Sequence, residues 1–202
     1  LDAADAGRAL AAMLTKVTLP EDASGPWLDL IGAFGGPAEV AKLWALVADK
    51  SATVPAAVSS RVLRSLLTAA ERGVRPGNNP PALEAFLGSS DTGTAQTALT
   101  LAGHWRLNAL ASRLGEAARH SNAGTRNAAI AGLRALGGQA AAEQALKLLA
   151  PEQGFESNLH ALSILAKASP KEAVTAAQKL LETASEDKIV NVWRTLNSSD
   201  PG

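Results

Sequence analysis

An apolar residue recurs about every 32 positions along this 202-residue chain, each time within a segment whose apolar side chains have helical spacing. One such residue from each segment gives the series Ile31, Leu63, Leu99, Ile130, Leu162 and Val192. The steps between them are 32, 36, 31, 32 and 30 residues. A repeat of this length is typical of a helix pair, which cannot bury its apolar face alone. The sequence therefore predicts a stack of helix pairs that share one continuous core.

The plan of the repeat is clearest between residues 121 and 151. A polar N-cap at Asn122 precedes apolar residues at helical spacing, and Gly137-Gly138 ends this first helix. A second helix is predicted over about 139–150, where Pro151 stops it. Each repeat therefore consists of a first helix, a short connection and a second helix.

The same plan recurs along the chain. First helices are also predicted over 24–36, 59–73, 92–103, 156–168 and 186–196. The second helices align at cationic residues, Lys42, Arg113, Lys147 and Lys179. The longest step contains a loop insertion at 75–81, which is rich in proline, glycine and asparagine. A helix over about 3–16 precedes the first complete pair, as a second helix without its partner.

Composition supports an all-α fold. The chain holds 43 Ala and 29 Leu, which favour helices, against 10 Val, 4 Ile, 3 Phe and no Tyr. We therefore predict a right-handed α-α superhelix, an armadillo-type solenoid of about five to six helix pairs. It is expected to form a single domain over 1–202 that ends in a linker at 198–202. Because the chain begins at Leu1 rather than Met, we expect it to be a piece of a longer protein.

One segment resembles a known repeat family. The segment begins with the polar residue Thr125, and Arg126 follows it. Ala128 and Ala129 come after one further residue, and Leu133 lies four residues after Ala129. This pattern resembles the first helix of HEAT-like repeats, which implies an α-solenoid scaffold and no particular ligand. The other repeats match loosely, and their roughly equivalent helix starts carry Trp27, Arg61 and Asn158.

A narrower resemblance concerns the style of the repeats rather than a motif. The segments rich in Ala, Leu and Gly are similar to helical parts of large secreted bacterial proteins that also contain a β-propeller and a CxxCH haem domain. This resemblance implies an accessory domain of a multidomain oxidoreductase or haem protein, in the periplasm or outside the cell. The chain itself has no Cys and therefore no CxxCH.

The residues give no sign of catalysis. Without Cys, thiol catalysis, disulfides and Cys-ligated metals are excluded. The three histidines, His104, His120 and His160, lack the spacing of a metal motif, and the glycines fall at helix ends rather than in a phosphate loop. We expect no catalytic residue, no cofactor site and no metal site, and hence no enzymatic activity of this chain.

A basic stretch provides the candidate binding surface. At 100° per residue, Arg106, Arg113 and His120 are predicted to form one stripe along a second helix. With Lys147 and Lys179, the stripe is expected to continue as a cationic row across successive second helices. An acidic partner, either another protein or a flanking domain of the same chain, is the interaction that such a row predicts.

The four tryptophans divide by position. Trp44 and Trp193 lie on apolar faces and are predicted to be in the core, whereas Trp27 and Trp105 lie at helix starts and are expected to be partly exposed. An exposed Trp105 beside the basic stripe would suit a binding hot spot.

Three functions remain open. The first is a non-catalytic scaffold for protein–protein or interdomain interaction, and the second is the accessory domain just described. The third is a nucleic-acid-binding solenoid, against which the formal net charge of zero argues. No apolar run reaches the roughly 18–20 residues of a membrane helix.

Overall fold

The computed structural model describes residues 12–13, 16, 24–48, 54–77, 83–149, 154–182 and 184–197. Over these ranges the regular structure is entirely helical, with eleven α-helices, one 3-10 turn and no strand. The prediction of an all-α fold built from packed helix pairs is confirmed. The chain divides into two compact units, an N-terminal unit, Leu1–Trp105, and a C-terminal unit, Arg106–Gly202.

The N-terminal unit contains five described helices. They are α1 Trp27–Phe34, α2 Pro37–Ala48, α3 Ala56–Glu71, α4 Glu84–Leu87 and α5 Thr92–His104. Alternate helices pack together, α1 on α3 and α3 on α5, while α2 packs on both α1 and α3. Gly32 permits the close approach of α1 and α3, because a Cβ atom there would lie 2.6 Å from the Ser65 carbonyl oxygen.

The C-terminal unit repeats this pattern. It begins with a 3-10 turn, Asn108–Leu110, and continues with α6 Ala111–Ala117, α7 Ala123–Leu136, α8 Gly138–Leu148, α9 Gly154–Ala168, α10 Pro170–Glu182 and α11 Glu186–Asn197. The first helices α7, α9 and α11 pack successively, and the second helix α6 packs on α8. Gly115 on α6 faces Gln144 on α8, whose Oε1 would lie 2.5 Å from an added Cβ atom.

The repeating apolar position is buried in every repeat. Ile31, Leu63, Leu99, Ile130, Leu162 and Val192 are at most 7% exposed. Leu133 and Leu165, one helical turn further along α7 and α9, are fully buried as well. Because these residues come from consecutive first helices that pack together within each unit, the predicted register of the apolar face is confirmed.

Local signals set the ends of α7. The Asn122 side chain accepts a hydrogen bond from the Thr125 backbone N–H at 3.0 Å, which is the predicted N-cap. At the other end, Gly137 has φ +62°, a left-handed conformation that glycine adopts without steric penalty, and its N–H donates to the Leu133 carbonyl. Both ends of α7 therefore agree with those predicted from the sequence.

Other boundaries differ from the predictions. Helix α3 begins at Ala56 rather than residue 59, because Pro55 occupies its N-cap, and α8 ends at Leu148 rather than residue 150. Residues 75–77 of the predicted insertion are not helical, and 78–81 lie outside the described residues, as does the linker at 198–202. Ala12 and Met13 are helical, but most of the predicted helix at 3–16 also lies outside the described residues.

Candidate functional site

The predicted stripe of Arg106, Arg113 and His120 does not exist as one helical face. Arg106 has φ +54°, a left-handed conformation that no helix residue adopts, and it precedes the 3-10 turn. Only Arg113 lies on α6, since this helix ends at Ala117, three residues before His120. The prediction of one helix through all three residues is therefore wrong, because Arg106 lies before the helix in a left-handed conformation and His120 lies beyond its end.

The remaining cations of the predicted row are exposed. Arg113 lies on α6, Lys147 in the last turn of α8 and Lys179 in the last turn of α10, and each is exposed. Arg113 pairs with Glu116 at 3.7 Å on the same helix, an exposed pair that contributes little to stability. The Arg119 Nη2 donates to the Lys147 carbonyl oxygen at 2.8 Å, so the C-terminal end of α8 lies against the residues that follow α6.

Trp105 is not part of any surface. It follows the last residue of α5, and the chain turns there, so that its indole is only 1% exposed. Its ring meets Trp44 edge to face, with centroids 5.5 Å apart, and Trp44 meets Phe86 in the same way at 6.0 Å. The expectation of an exposed Trp105 at a binding hot spot is therefore wrong, whereas the predicted burial of Trp44 is confirmed.

The prediction for Trp193 is wrong in the opposite sense, because Trp193 is expected in the core but is 55% exposed. The inward position of α11 is taken by Val192, which is fully buried, and the next residue along a helix points about 100° away. Trp193 and Val190 thus lie on the outer face of α11, and each is more than half exposed.

A polar cavity of about 240 Å³ lies within the C-terminal unit. Its wall consists of Ala118, Arg119, His120, Ser121, Arg126, Glu156, Ser157 and His160. One side comes from the connection between α6 and α7 and from the first turns of α7, and the other from the start of α9. Helices α7 and α9 pack together, which brings these two sides into one site.

Backbone hydrogen bonds hold the two arginines of the cavity in place. Arg126 Nη1 donates to the carbonyl oxygens of His120 at 3.1 Å and Ser121 at 3.4 Å. Arg119 is anchored by its bond to the Lys147 carbonyl. Among the described residues, neither guanidinium forms an ion pair with a carboxylate. The described wall of the cavity therefore contains two arginines and one carboxylate, that of Glu156.

The two histidines of the cavity have different environments. His120 Nδ1 accepts a hydrogen bond from the Asn122 backbone N–H at 3.0 Å, so Nε2 is the ring nitrogen that can donate. His160 is half-buried, and desolvation by burial lowers its pKa below the usual 6.5. The Glu156 carboxylate opposes this shift in the pKa, and the positive charge of Arg126 adds to it. His160 is therefore protonated less readily than an ordinary imidazole.

The cavity brings together residues that sequence reasoning kept apart. His120 was assigned to the predicted stripe, and Arg119 and Arg126 belonged to the same basic stretch, but neither was combined with Ser157 or His160 into a site. The repeat spacing contained the necessary signal, since His160 lies 34 residues after Arg126, about one repeat along the chain. Residues one repeat apart are neighbours when first helices stack.

Two further observations concern sites that the described residues do not form. No three His, Asp or Glu side chains in the described ranges lie close enough together to hold a metal ion. Among the helices that the structure describes, none has the length and apolar character needed to cross a membrane.

Comparison with protein-family models, curated proteins and solved structures gives no match to this chain.

Proposed function

We propose that this chain is a non-catalytic helical-repeat scaffold of the HEAT-like kind, a right-handed α-solenoid that binds an acidic protein segment or flanking domain. The observation that carries the proposal is that successive first helices pack on one another, α1–α3–α5 in one unit and α7–α9–α11 in the other. Their repeating apolar residues are 30–36 positions apart in the sequence. This combination is typical of arrays in which each repeat contacts its neighbours.

The exposed cations of the second helices support the nature of the partner. Arg113, Lys147 and Lys179 are exposed and come from three successive second helices, α6, α8 and α10. Lys147 and Lys179 each lie in a last turn, where the helix dipole already favours a positive charge. Their presence therefore has a structural explanation too, and a test must separate a binding role from a dipole role.

The C-terminal unit provides a matched control for that test. Arg134 and Lys167 lie in the last turns of the first helices α7 and α9, as Lys147 and Lys179 do in the second helices. Replacing either pair with glutamate reverses two charges at helix C-termini, so the two double variants suffer a similar loss of dipole stabilisation. Only the pair on the second helices should affect a partner that docks there.

The probe is a fluorescent decaglutamate peptide, with decaglutamine as the uncharged reference. Fluorescence anisotropy should show binding that weakens between about 50 mM and about 300 mM salt, because exposed charges are screened. The change Lys147→Glu with Lys179→Glu should weaken binding by about tenfold, whereas Arg134→Glu with Lys167→Glu should change it little. Equal effects of both pairs, or binding insensitive to salt, would contradict the proposal.

A DNA duplex is included as a further probe. If it binds more tightly than decaglutamate and depends on the same two lysines, the chain is a nucleic-acid-binding solenoid instead. Phosphate contacts predict a steep decrease of affinity with salt concentration, which would identify that outcome.

A further inference from the structure

The cavity between the α6–α7 connection and the start of α9 has an excess of hydrogen-bond donors. Each guanidinium carries five N–H groups, and the bonds from Arg119 and Arg126 to backbone carbonyls use one nitrogen of each. His120, whose Nδ1 accepts a backbone hydrogen bond, adds an Nε2–H donor, and Ser121 and Ser157 add hydroxyls. An acceptor with several oxygens would complement this set of donors.

The two arginines are fixed before any ligand arrives. Arg126 is only partly exposed, and its guanidinium donates to the His120 carbonyl, which precedes α7. Arg119 donates to the Lys147 carbonyl near the end of α8. A side chain held in this way loses less conformational entropy on binding than a free surface arginine. Arg126, which has no carboxylate partner among the described residues, is also partly withdrawn from water, and this strengthens its interaction with an anion.

Some of the wall residues lie in the first turns of two helices. Arg126 lies near the start of α7, and Glu156 and Ser157 lie in the first turn of α9. Backbone N–H groups at the start of an α-helix have no partner within the helix and favour an anion. This effect is secondary to that of the arginines. A helix start without the two guanidinium groups would be an ordinary terminus exposed to water.

Size and donor geometry select the class of anion. At about 240 Å³ the cavity is smaller than the range of about 300–1,000 Å³ that is usual for drug-sized ligands. A planar carboxylate has two oxygens and matches one guanidinium fork. Two arginines that reach the cavity from different points of the chain, together with His120 and the two serines, suit a tetrahedral group with three or four oxygens. Phosphate has this shape and a charge of up to −2 at neutral pH.

We propose that this cavity binds a phosphate group, either as free phosphate or as the monoester of a small molecule or a phosphorylated side chain. Arg119 and Arg126 neutralise the phosphate oxygens, and His120 and the two serines donate hydrogen bonds to them. Glu156 opposes binding through its negative charge, which its exposed position keeps partly screened. The proposal does not depend on the second-helix lysines or on an acidic protein partner.

Nuclear magnetic resonance of the imidazole groups provides the assay, because the chain has three histidines. His120 and His160 line the cavity, and His104 belongs to the N-terminal unit and serves as an internal reference. Titration with inorganic phosphate at constant ionic strength should shift the His120 and His160 resonances saturably and leave His104 unchanged. Chloride added to the same ionic strength should produce no such shift.

Two variants with opposite expected effects make the test specific. Arg126→Gln should weaken phosphate binding by about tenfold or more, because it removes a charged donor. Glu156→Gln should strengthen it several-fold, because it removes the opposing charge. The matched control is Lys167→Gln at the far end of α9, which lowers the net charge equally and should leave phosphate affinity unchanged. Since Arg126→Gln also removes backbone bonds, circular dichroism must show that this variant stays folded, and Glu156→Gln provides an independent test.

N-acetyl phosphoserine amide, with its unphosphorylated form as reference, distinguishes the two sources of phosphate. Binding tighter than that of inorganic phosphate indicates a monoester, and the reverse order indicates the free ion; both support a phosphate site. The proposal is overturned if neither ligand shifts His120 and His160, if His104 shifts equally, or if Lys167→Gln weakens binding as much as Arg126→Gln. An affinity that does not increase in Glu156→Gln also contradicts it.

Discussion

Arg61 and Arg126 lie on first helices of the two units, α3 and α7, and both donate to backbone carbonyls near a helix start, yet their charges are balanced differently. Arg61 bonds to the Gly25 carbonyl and forms an ion pair with Asp29 at 3.2 Å, which ties α3 to the start of α1. Arg126 bonds to two carbonyls and has no carboxylate partner among the described residues. A neutralised arginine joins two repeats, whereas one without a counter-charge beside a cavity is available to a ligand.

The interiors of the two units also differ in polarity. The N-terminal unit has an aromatic cluster of Trp44, Phe86 and Trp105 in edge-to-face contact. The C-terminal unit is filled with alanine and leucine and contains the polar cavity between α7 and α9. Similar helix pairs therefore support a largely buried aromatic cluster in one unit and an open polar site in the other. The substitutions below test this contrast.

The largest effect is expected at Trp105. Replacing this buried indole with alanine removes its contact with Trp44 and leaves a large cavity, so Trp105→Ala should reduce the free energy of unfolding by about 3–5 kcal/mol. Trp193→Ala, at an exposed position, should change it by less than about 0.5 kcal/mol. Urea denaturation followed by circular dichroism measures both. Similar losses in the two variants would show that the aromatic cluster does not stabilise the N-terminal unit as described.

The next effect concerns the repeat register in the C-terminal unit. Leu133 is fully buried on α7, so Leu133→Ala should cost about 2–5 kcal/mol. Leu146 on α8 is 45% exposed and provides the matched control, with a smaller loss expected for the same chemical change. Chemical denaturation gives both values. An unchanged midpoint for Leu133→Ala would be inconsistent with the assigned inward face of α7.

A pair of double-mutant cycles compares the two arginines directly. Alanine substitutions of Arg61 and Asp29 should give a coupling energy of about 0.2–1 kcal/mol, which is usual for an exposed ion pair. The matching cycle of Arg126 with Glu156 should give less coupling in the absence of a ligand, because these side chains do not form an ion pair. A stronger coupling between Arg126 and Glu156 would mean that Glu156 neutralises the charge of Arg126 in the absence of a ligand.

The smallest effect is expected from His160, since its imidazole is only half-buried. Its pKa in the folded protein lies below 6.5, so the unfolded chain takes up a proton more readily as the pH decreases. The stability that this group contributes should therefore be present above about pH 6.5 and be lost as the pH falls through the folded pKa. Wild-type protein should lose more stability than His160→Gln between about pH 7.5 and about pH 5.5, as measured by thermal unfolding. An equal loss in the variant would assign the pH dependence to other groups.

The Trp105 and Trp193 pair also shows where sequence reasoning is weak. An apolar pattern identifies a helix face to within one or two residues, but neighbouring positions on a helix differ by about 100°. Val192 and Trp193 are both apolar and adjacent, and the packing of α11 on α9 buries only the first of them. Similarly, the turn at Arg106 follows from a left-handed backbone conformation that no proline or glycine marks in the sequence.

The sequence by itself determined the helical class, the 30–36-residue repeat, the capped start and glycine end of α7, and the buried residue of each repeat. These features depend on local backbone preferences and on apolar periodicity, both of which are written along the chain. Only the tertiary structure placed Arg119, His120, Arg126 and His160 around one cavity. Only it paired Arg61 with Asp29 and left Arg126 without a carboxylate partner among the described residues. The physical reason is that electrostatic balance depends on distances between side chains of different repeats, which the packing of one helix on the next decides.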